Sequence, residues 1–137
     1  MAVALDSNVV VGFLDRSDKL HEAADAAIRE LLRGDQLVVS VITYAEVMTG
    51  ARLGHHDQDS VKGFFKDLIS RILPVDVPVG DRAAALRAES KAVSMPDALI
   101  VASAEIDPAV DLLVSGDRGV GKLKGLDCKL RLLTAPR

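Results

Sequence analysis

Short runs of aliphatic and β-branched residues alternate along this chain with longer stretches in which apolar residues recur at helical spacing. Strands separated by helices in this order can join one sheet only through crossovers, which makes neighbouring strands parallel and buries both sheet faces under helices. The expected fold is a three-layer α/β/α sandwich with a mostly parallel sheet of four or five strands, as one domain over residues 1–137.

The first run, Val3-Ala4-Leu5, stops on Asp6-Ser7-Asn8 and turns into the helical Val9-Val10-Val11-Gly12-Phe13-Leu14. Leu20, Ala23, Ala24, Ala27, Ile28, Leu31 and Leu32 trace an amphipathic helix, with Ser17 or Asp18 as cap and Gly34 as stop. Leu37-Val38-Val39-Ser40-Val41 is too short for a helix and reads as a strand buried on both faces, and residues 43–53 return to helix. Val61, Phe64, Phe65, Leu68, Ile69 and Ile72 predict a further helix with one apolar stripe. Residues 73–77, broken by Pro74 and closed by Pro78, predict a short edge strand, because proline cannot donate to a ladder. Helices over residues 81–93 and 96–106, a strand over 111–115 and an edge strand over 128–132 complete the reading.

Composition narrows the class. Of the 137 residues 49% are hydrophobic and 27% charged, which suits a globular domain with a core that needs no disulfide or structural metal. Aromatic residues make up only 3%, so stacking on aromatic platforms cannot dominate any single-strand binding. Cys128 is the one cysteine, which excludes an internal disulfide and suits a reducing compartment. No apolar stretch approaches the roughly 18 residues of a membrane span, and no basic region precedes a signal-like core, so a cytoplasmic protein is expected. A net charge of −3 weighs mildly against nucleic-acid binding, but clustered acids that hold cations would bias that total.

Four acids occupy comparable places: Asp6, Glu46, Asp97 and Asp117. Each has an ordinary explanation. Thr43-Tyr44-Ala45-Glu46 and Ser94-Met95-Pro96-Asp97 have the capping-box form, Asp6 could cap a helix, and Asp117 could sit in a turn. The topology nevertheless brings all four to the edge where parallel strands end, provided the 81–93 helix lies across the sheet. Carboxylates that converge repel by roughly 4 kcal/mol per pair at about 4 Å and an effective dielectric near 20, whereas a helix N-terminus recovers about 0.3–1 kcal/mol. A positive group must complete such a site. With oxygen donors and no Cys or His at ligand spacing, Mg²⁺ or Mn²⁺ suits it better than zinc. His21, His55 and His56 are expected at the solvated surface.

Such ions acidify water and neutralise charge on a phosphate, which is the chemistry of phosphodiester hydrolysis. Asp6, Asp97 and Asp117 are the expected metal ligands, Glu46 the group that orients a water or second ion, and Asn8 and Ser115 secondary polar candidates.

The segments Leu5-Asp6-Ser7-Asn8, Ser40-Val41-Ile42-Thr43-Tyr44-Ala45-Glu46, Pro96-Asp97-Ala98-Leu99-Ile100 and Leu113-Val114-Ser115-Gly116-Asp117 together resemble the PIN-domain ribonucleases, in particular the VapC-type toxins of bacterial toxin–antitoxin pairs. The resemblance implies a Mg²⁺- or Mn²⁺-dependent endoribonuclease that is typically a homodimer, inhibited by a cognate VapB-type antitoxin, with its acidic quartet on Asp6, Glu46, Asp97 and Asp117. Ser7 stands where threonine is commoner in that family, and Ser115-Gly116-Asp117 replaces a frequent Thr-Arg-Asp. Arg118 and Lys122 are candidate RNA contacts, with Arg52, Arg82, Arg87 and Lys124 as further cations. Phe64, Phe65 and Leu68, with Ile69 and Ile72, are candidates for an antitoxin-contacting stripe or for the core.

Three other readings compete. Gly116 to Lys122 matches the G-x-x-x-x-G-K spacing of a phosphate-binding loop, but Leu123 replaces the required hydroxyl and Asp117 would oppose the phosphates. The others are an RNA-processing nuclease of the same fold without an antitoxin, and a catalytically inactive cation-binding interaction domain.

Overall fold

The computed structural model of the chain describes residues 1–136. Its elements follow in the order β1 (Ala2–Leu5), α1 (Ser7–Leu14), α2 (His21–Leu31), β2 (Gln36–Ser40), α3 (Val41–Arg52), α4 (Gln58–Asp67), β3 (Ile69–Leu73), α5 (Val77–Glu89), α6 (Met95–Ile106), β4 (Val110–Ser115), α7 (Arg118–Gly121) and β5 (Lys129–Leu132). The strands form one sheet in the order β3-β2-β1-β4-β5, with every neighbouring pair parallel. From the central β1 the chain builds outward through β2 and β3, then returns to the other side of β1 as β4. The direction therefore switches between β1 and β4, and the crevice beyond their C-terminal ends is where such sheets bind ligands.

The period-two alternation of the strands sorts their side chains into two cores. Val3, Leu5, Leu37, Val39 and Val114 pack with Val9, Val10, Ala24, Ile28, Val47 and Phe64 from α1 to α4. Ala2, Ala4, Val38 and Leu113 face the opposite way, against Val79, Ala83, Leu86, Ala98, Val101 and Ala102 of α5 and α6. Each large aliphatic side chain buried in this way contributes about 1.5–3 kcal/mol. The three-layer α/β/α architecture is as expected, and its sheet has five strands, all parallel.

Several element bounds differ from the sequence reading: α2 opens at His21 after Leu20, with no side-chain cap from Ser17 or Asp18, and Val41 begins α3 rather than ending β2. The α4 helix stops at Asp67, and Ile69–Leu73 is an edge strand rather than the end of a helix; the strand lies before Pro74, not across it. Ile69 and Ile72 fit helical spacing, but an apolar run this short fits a strand equally well, and pairing with β2 decides the outcome. The next helix runs from Val77 to Glu89, not over residues 81–93, because Asp76 caps it by accepting from Val79 N and Pro78 stands in its first turn.

The position of Asp97 depends on how α5 runs. Arg82, early in α5, pairs with Glu105, late in α6, at 3.0 Å, so the two helices form an antiparallel hairpin. The α5 helix therefore carries the chain toward the edge where the strands end, and α6 starts there.

Candidate active site

Asp6 ends β1 and starts α1. Its N–H still donates to Val114 O at 2.9 Å, while Oδ1 accepts from Ser7 N at 2.7 Å as the helix cap. Its Oδ2 accepts from the Ser115 hydroxyl at 2.7 Å, and the residue is only 2% exposed. Burial pushes its carboxyl up to about 6; the Ser115 and Ser7 hydrogen bonds oppose that rise, and the charges of Asp97 and Asp117 add to it.

At the end of β4, Ser115 joins two of the acids. Its Oγ, which donates to Asp6, accepts from Asp117 N at 3.0 Å. Asp117 Oδ1 accepts from Gly119 N at 2.7 Å, capping the single turn of α7. Asn8 Oδ1 accepts from Gly116 N at 2.9 Å, fixing the start of α1 against the end of β4. A Cβ at Gly119 would stand 2.1 Å from Ala92 O, so only glycine lets α7 pack on the segment that leads into α6. The glycines of the G-x-x-x-x-G-K spacing are themselves accounted for by packing: a Cβ at Gly116 would stand 2.6 Å from Leu20 Cδ2, and one at Gly121 would stand 3.1 Å from Leu132 Cδ2.

Ser94 caps α6, its Oγ accepting from Asp97 N at 3.3 Å. The Asp97 carboxyl is pushed up by burial, drawn down by the Ser94 hydroxyl, and pushed up again by contact with Asp117 and by the charge of Glu46. Glu46 lies in the second turn of α3, where Oε1 accepts from the Ser7 hydroxyl at 2.6 Å; Ser7 Oγ also pairs with Thr43 Oγ1 at 3.1 Å. The capping-box explanation of Glu46 is excluded, because α3 is capped three residues before Thr43, by Ser40 accepting from Ile42 N. Thr43 is an interior, fully buried helical residue.

The structure therefore brings Asp6, Asp97 and Asp117 together at the β1/β4 switch point, with Glu46 at the rim and Asn8 and Ser115 as their supports. The cap roles of Asp6, Asp117 and the Ser94–Asp97 pair are real as well, since one side chain can cap a helix and face the site at once. The Ser-x-x-Asp spacing identified Ser94 as the cap before Asp97, but sequence reading missed Ser7 as a polar support, since nothing local linked it to a glutamate 39 residues away.

Among the described residues, no Lys, Arg or His forms an ion pair with any of the four acids. Nor is any group of three or more His, Cys, Asp or Glu side chains there disposed to grip a metal ion directly. The donors are carboxylate and hydroxyl oxygens whose charge is uncompensated. That chemistry fits Mg²⁺ or Mn²⁺ retaining part of its water, since Mg²⁺ sheds hydration reluctantly and commonly binds through one or two carboxylates.

Arg118, Lys122, Lys124 and Arg52 are exposed, whereas Arg82 is committed to Glu105 and is not a free surface cation. Of the apolar stripe, Phe64 lies in the core with its ring centroid 5.5 Å from that of Phe13, while Phe65 and Leu68 are half-buried. Phe65 packs on Tyr44 at 4.8 Å. His21 is half-buried with Nδ1 2.8 Å from Gly12 O, not simply solvated. Among the described residues no helix is long and apolar enough to cross a membrane.

The PIN domain profile matches residues 3–126. No curated protein matches the chain. Among solved structures, VapBC2 from Rickettsia felis bound to a DNA fragment from their promoter is similar with a TM-score of 0.73 at 17% identity, over 97% of this chain and 99% of that one. FitAcB from Neisseria gonorrhoeae gives a TM-score of 0.68 at 25% identity, over 93% and 95% of the two chains. A toxin–antitoxin complex from Klebsiella pneumoniae gives 0.62 at 25% identity, over 83% and 85%.

Proposed function

Because the chain belongs to the PIN-domain family, we propose that it is a Mg²⁺- or Mn²⁺-dependent endoribonuclease, the toxin of a toxin–antitoxin pair, acting in the cytoplasm as a homodimer and restrained by a VapB-type antitoxin. The observation that carries the nuclease reading is the convergence of Asp6, Asp97 and Asp117 at the switch point, with Glu46 beside them and no cation paired to any of them among the described residues. The toxin reading is supported by the likeness to the Klebsiella pneumoniae toxin–antitoxin complex.

Asp6, Asp97 and Asp117 would hold the ion, directly or through water. When bound, it supplies neutralisation of charge on the phosphate and acidification of an attacking water. Ser115 fixes Asp6 and Asp117 relative to each other through the two hydrogen bonds of its hydroxyl. Ser7 fixes Glu46, leaving its second carboxylate oxygen to orient a water toward the scissile phosphate. Asn8 holds the β4 end through Gly116 N, so the carboxylates keep their spacing as charge develops.

The test is cleavage of total RNA by purified protein with Mn²⁺, with EDTA, and with Asp6→Ala. Cleavage that depends on Mn²⁺ and falls at least about 100-fold in Asp6→Ala supports the reading, a loss on the scale of removing one essential electrostatic group. Cleavage that survives EDTA and the substitution contradicts it. Co-purification with the product of an adjacent short reading frame that suppresses cleavage tests the toxin role.

A further inference from the structure

A cavity of about 350 Å³ opens between the end of α5 and the end of α7, lined by Leu86, Glu89, Ser90, Lys122, Leu123 and Lys124. We propose that it is a subsite for one nucleotide of single-stranded RNA next to the scissile bond, with Lys122 and Lys124 on the phosphate and Glu89 on the base. This rests on the ribonuclease reading above and adds where the strand runs and what it is read by.

Position comes first. The segments that line the cavity continue into the acidic site: Gly119, three residues before Lys122, packs on Ala92 O, two residues after Ser90, and Ser94 then caps the helix that carries Asp97. Lys122 is the C-cap of the one-turn helix that Asp117 starts. Five residues at 1.5 Å each give about 7.5 Å between their backbones, of the order of one nucleotide step.

Chemistry comes second. The volume is at the lower end of the range for small-molecule pockets, enough for one nucleotide and no more. Leu86, only 1% exposed, and half-buried Leu123 give an apolar floor on which a base can lie in place of an aromatic platform. Ser90 Oγ accepts from Ala92 N, which leaves its proton for a phosphate or ribose oxygen. Neither lysine forms an ion pair among the described residues, although Glu89 lines the same cavity. A carboxylate at the base end accepts from an exocyclic amino group, so it favours cytosine, adenine or guanine over uracil. Single-stranded segments with splayed bases are the form of RNA that can enter.

The test compares wild type, Lys122→Ala/Lys124→Ala and Glu89→Gln on a pool of random oligoribonucleotides with Mn²⁺. Initial rates are measured across a salt series, cut sites are sequenced, and folding is checked by thermal melts. The double variant is expected to raise KM at least 10-fold with little change in kcat, and to flatten the log–log salt dependence of kcat/KM by about 0.7 per lysine. Glu89→Gln is expected to erase a preference for amino-bearing bases at one position beside the cut. Unchanged KM and salt slope in the double variant overturn the phosphate contact, and an unchanged cut-site profile in Glu89→Gln overturns the base contact. Unchanged RNA kinetics with weakened antitoxin binding would give the cavity to the protein partner and overturn the nucleotide assignment. No cleavage by wild type would instead refute the ribonuclease reading itself.

Discussion

Asp6 shows how one side chain can support the fold and weaken it at the same time. Its hydrogen bonds cap α1 and join β1 to β4, yet burial raises its carboxyl from 3.8 to about 6. At about 1.4 kcal/mol per unit, ionising it in the folded protein costs about 3 kcal/mol relative to the unfolded chain. For a group with a raised folded value, the folded state binds more protons, so the associated stability is complete below about 3.8 and is lost as pH rises through about 6. Asp6→Asn, which cannot ionise, is therefore expected to raise the metal-free stability by up to about 3 kcal/mol at pH 8 and to give no such gain at pH 3.5, while abolishing cleavage. Urea melts at the two pH values check this; equal effects at both would show that the buried charge is not the cause. Asp6, Asp97 and Asp117 could be read from the sequence because each follows a strand or opens a helix, and Glu46, in the second turn of α3, because its helix follows β2. Ser7 as the partner of Glu46 could not, since the contact exists only once α1 and α3 pack together.

At the level of elements, the site depends on the α5–α6 hairpin and the one-turn α7. The Glu105 side chain is 1% exposed; it binds Arg82, and its Oε2 also accepts from Asp127 N at 2.9 Å, which anchors the loop before β5. Arg82→Ala leaves that carboxylate buried without its partner and is expected to cost about 3–5 kcal/mol, measured by chemical denaturation. A loss below about 1 kcal/mol would mean that water replaces the guanidinium. Gly119→Ala is expected to destabilise by about 1–3 kcal/mol and to reduce cleavage, because its Cβ meets a backbone oxygen rather than a movable side chain. Gly63→Ala in the middle of α4, where a Cβ meets nothing within 4 Å, is expected to stabilise by about 0.5–1 kcal/mol and leave cleavage unchanged. Paired melts and rate measurements distinguish the two. The helix opened by Ser94 was legible from the sequence, whereas the starts of α2 and α3 and the strand β3 were not. Ile69 and Ile72 satisfy a helical stripe, and only pairing with Leu37 and Val39 on the edge of β2 selects the strand.

Across the whole molecule, the order β3-β2-β1-β4-β5 is what turns four acids spread over more than a hundred residues into one rim. The sequence implied parallel strands ending on a common side; it did not dictate that β4 would lie beside β1, which places Ser115 on Asp6. That adjacency concentrates negative charge where, among the described residues, no cation is paired with it, and the proposed divalent ion would relieve it. The most direct test is calorimetric titration of Mn²⁺ into the wild type and into Asp6→Asn/Asp97→Asn at pH 7.5 and pH 5. Saturable binding by the wild type that weakens at pH 5, releases protons and disappears in the double variant is the predicted result. Equal binding by both proteins, or none by the wild type, would contradict the account.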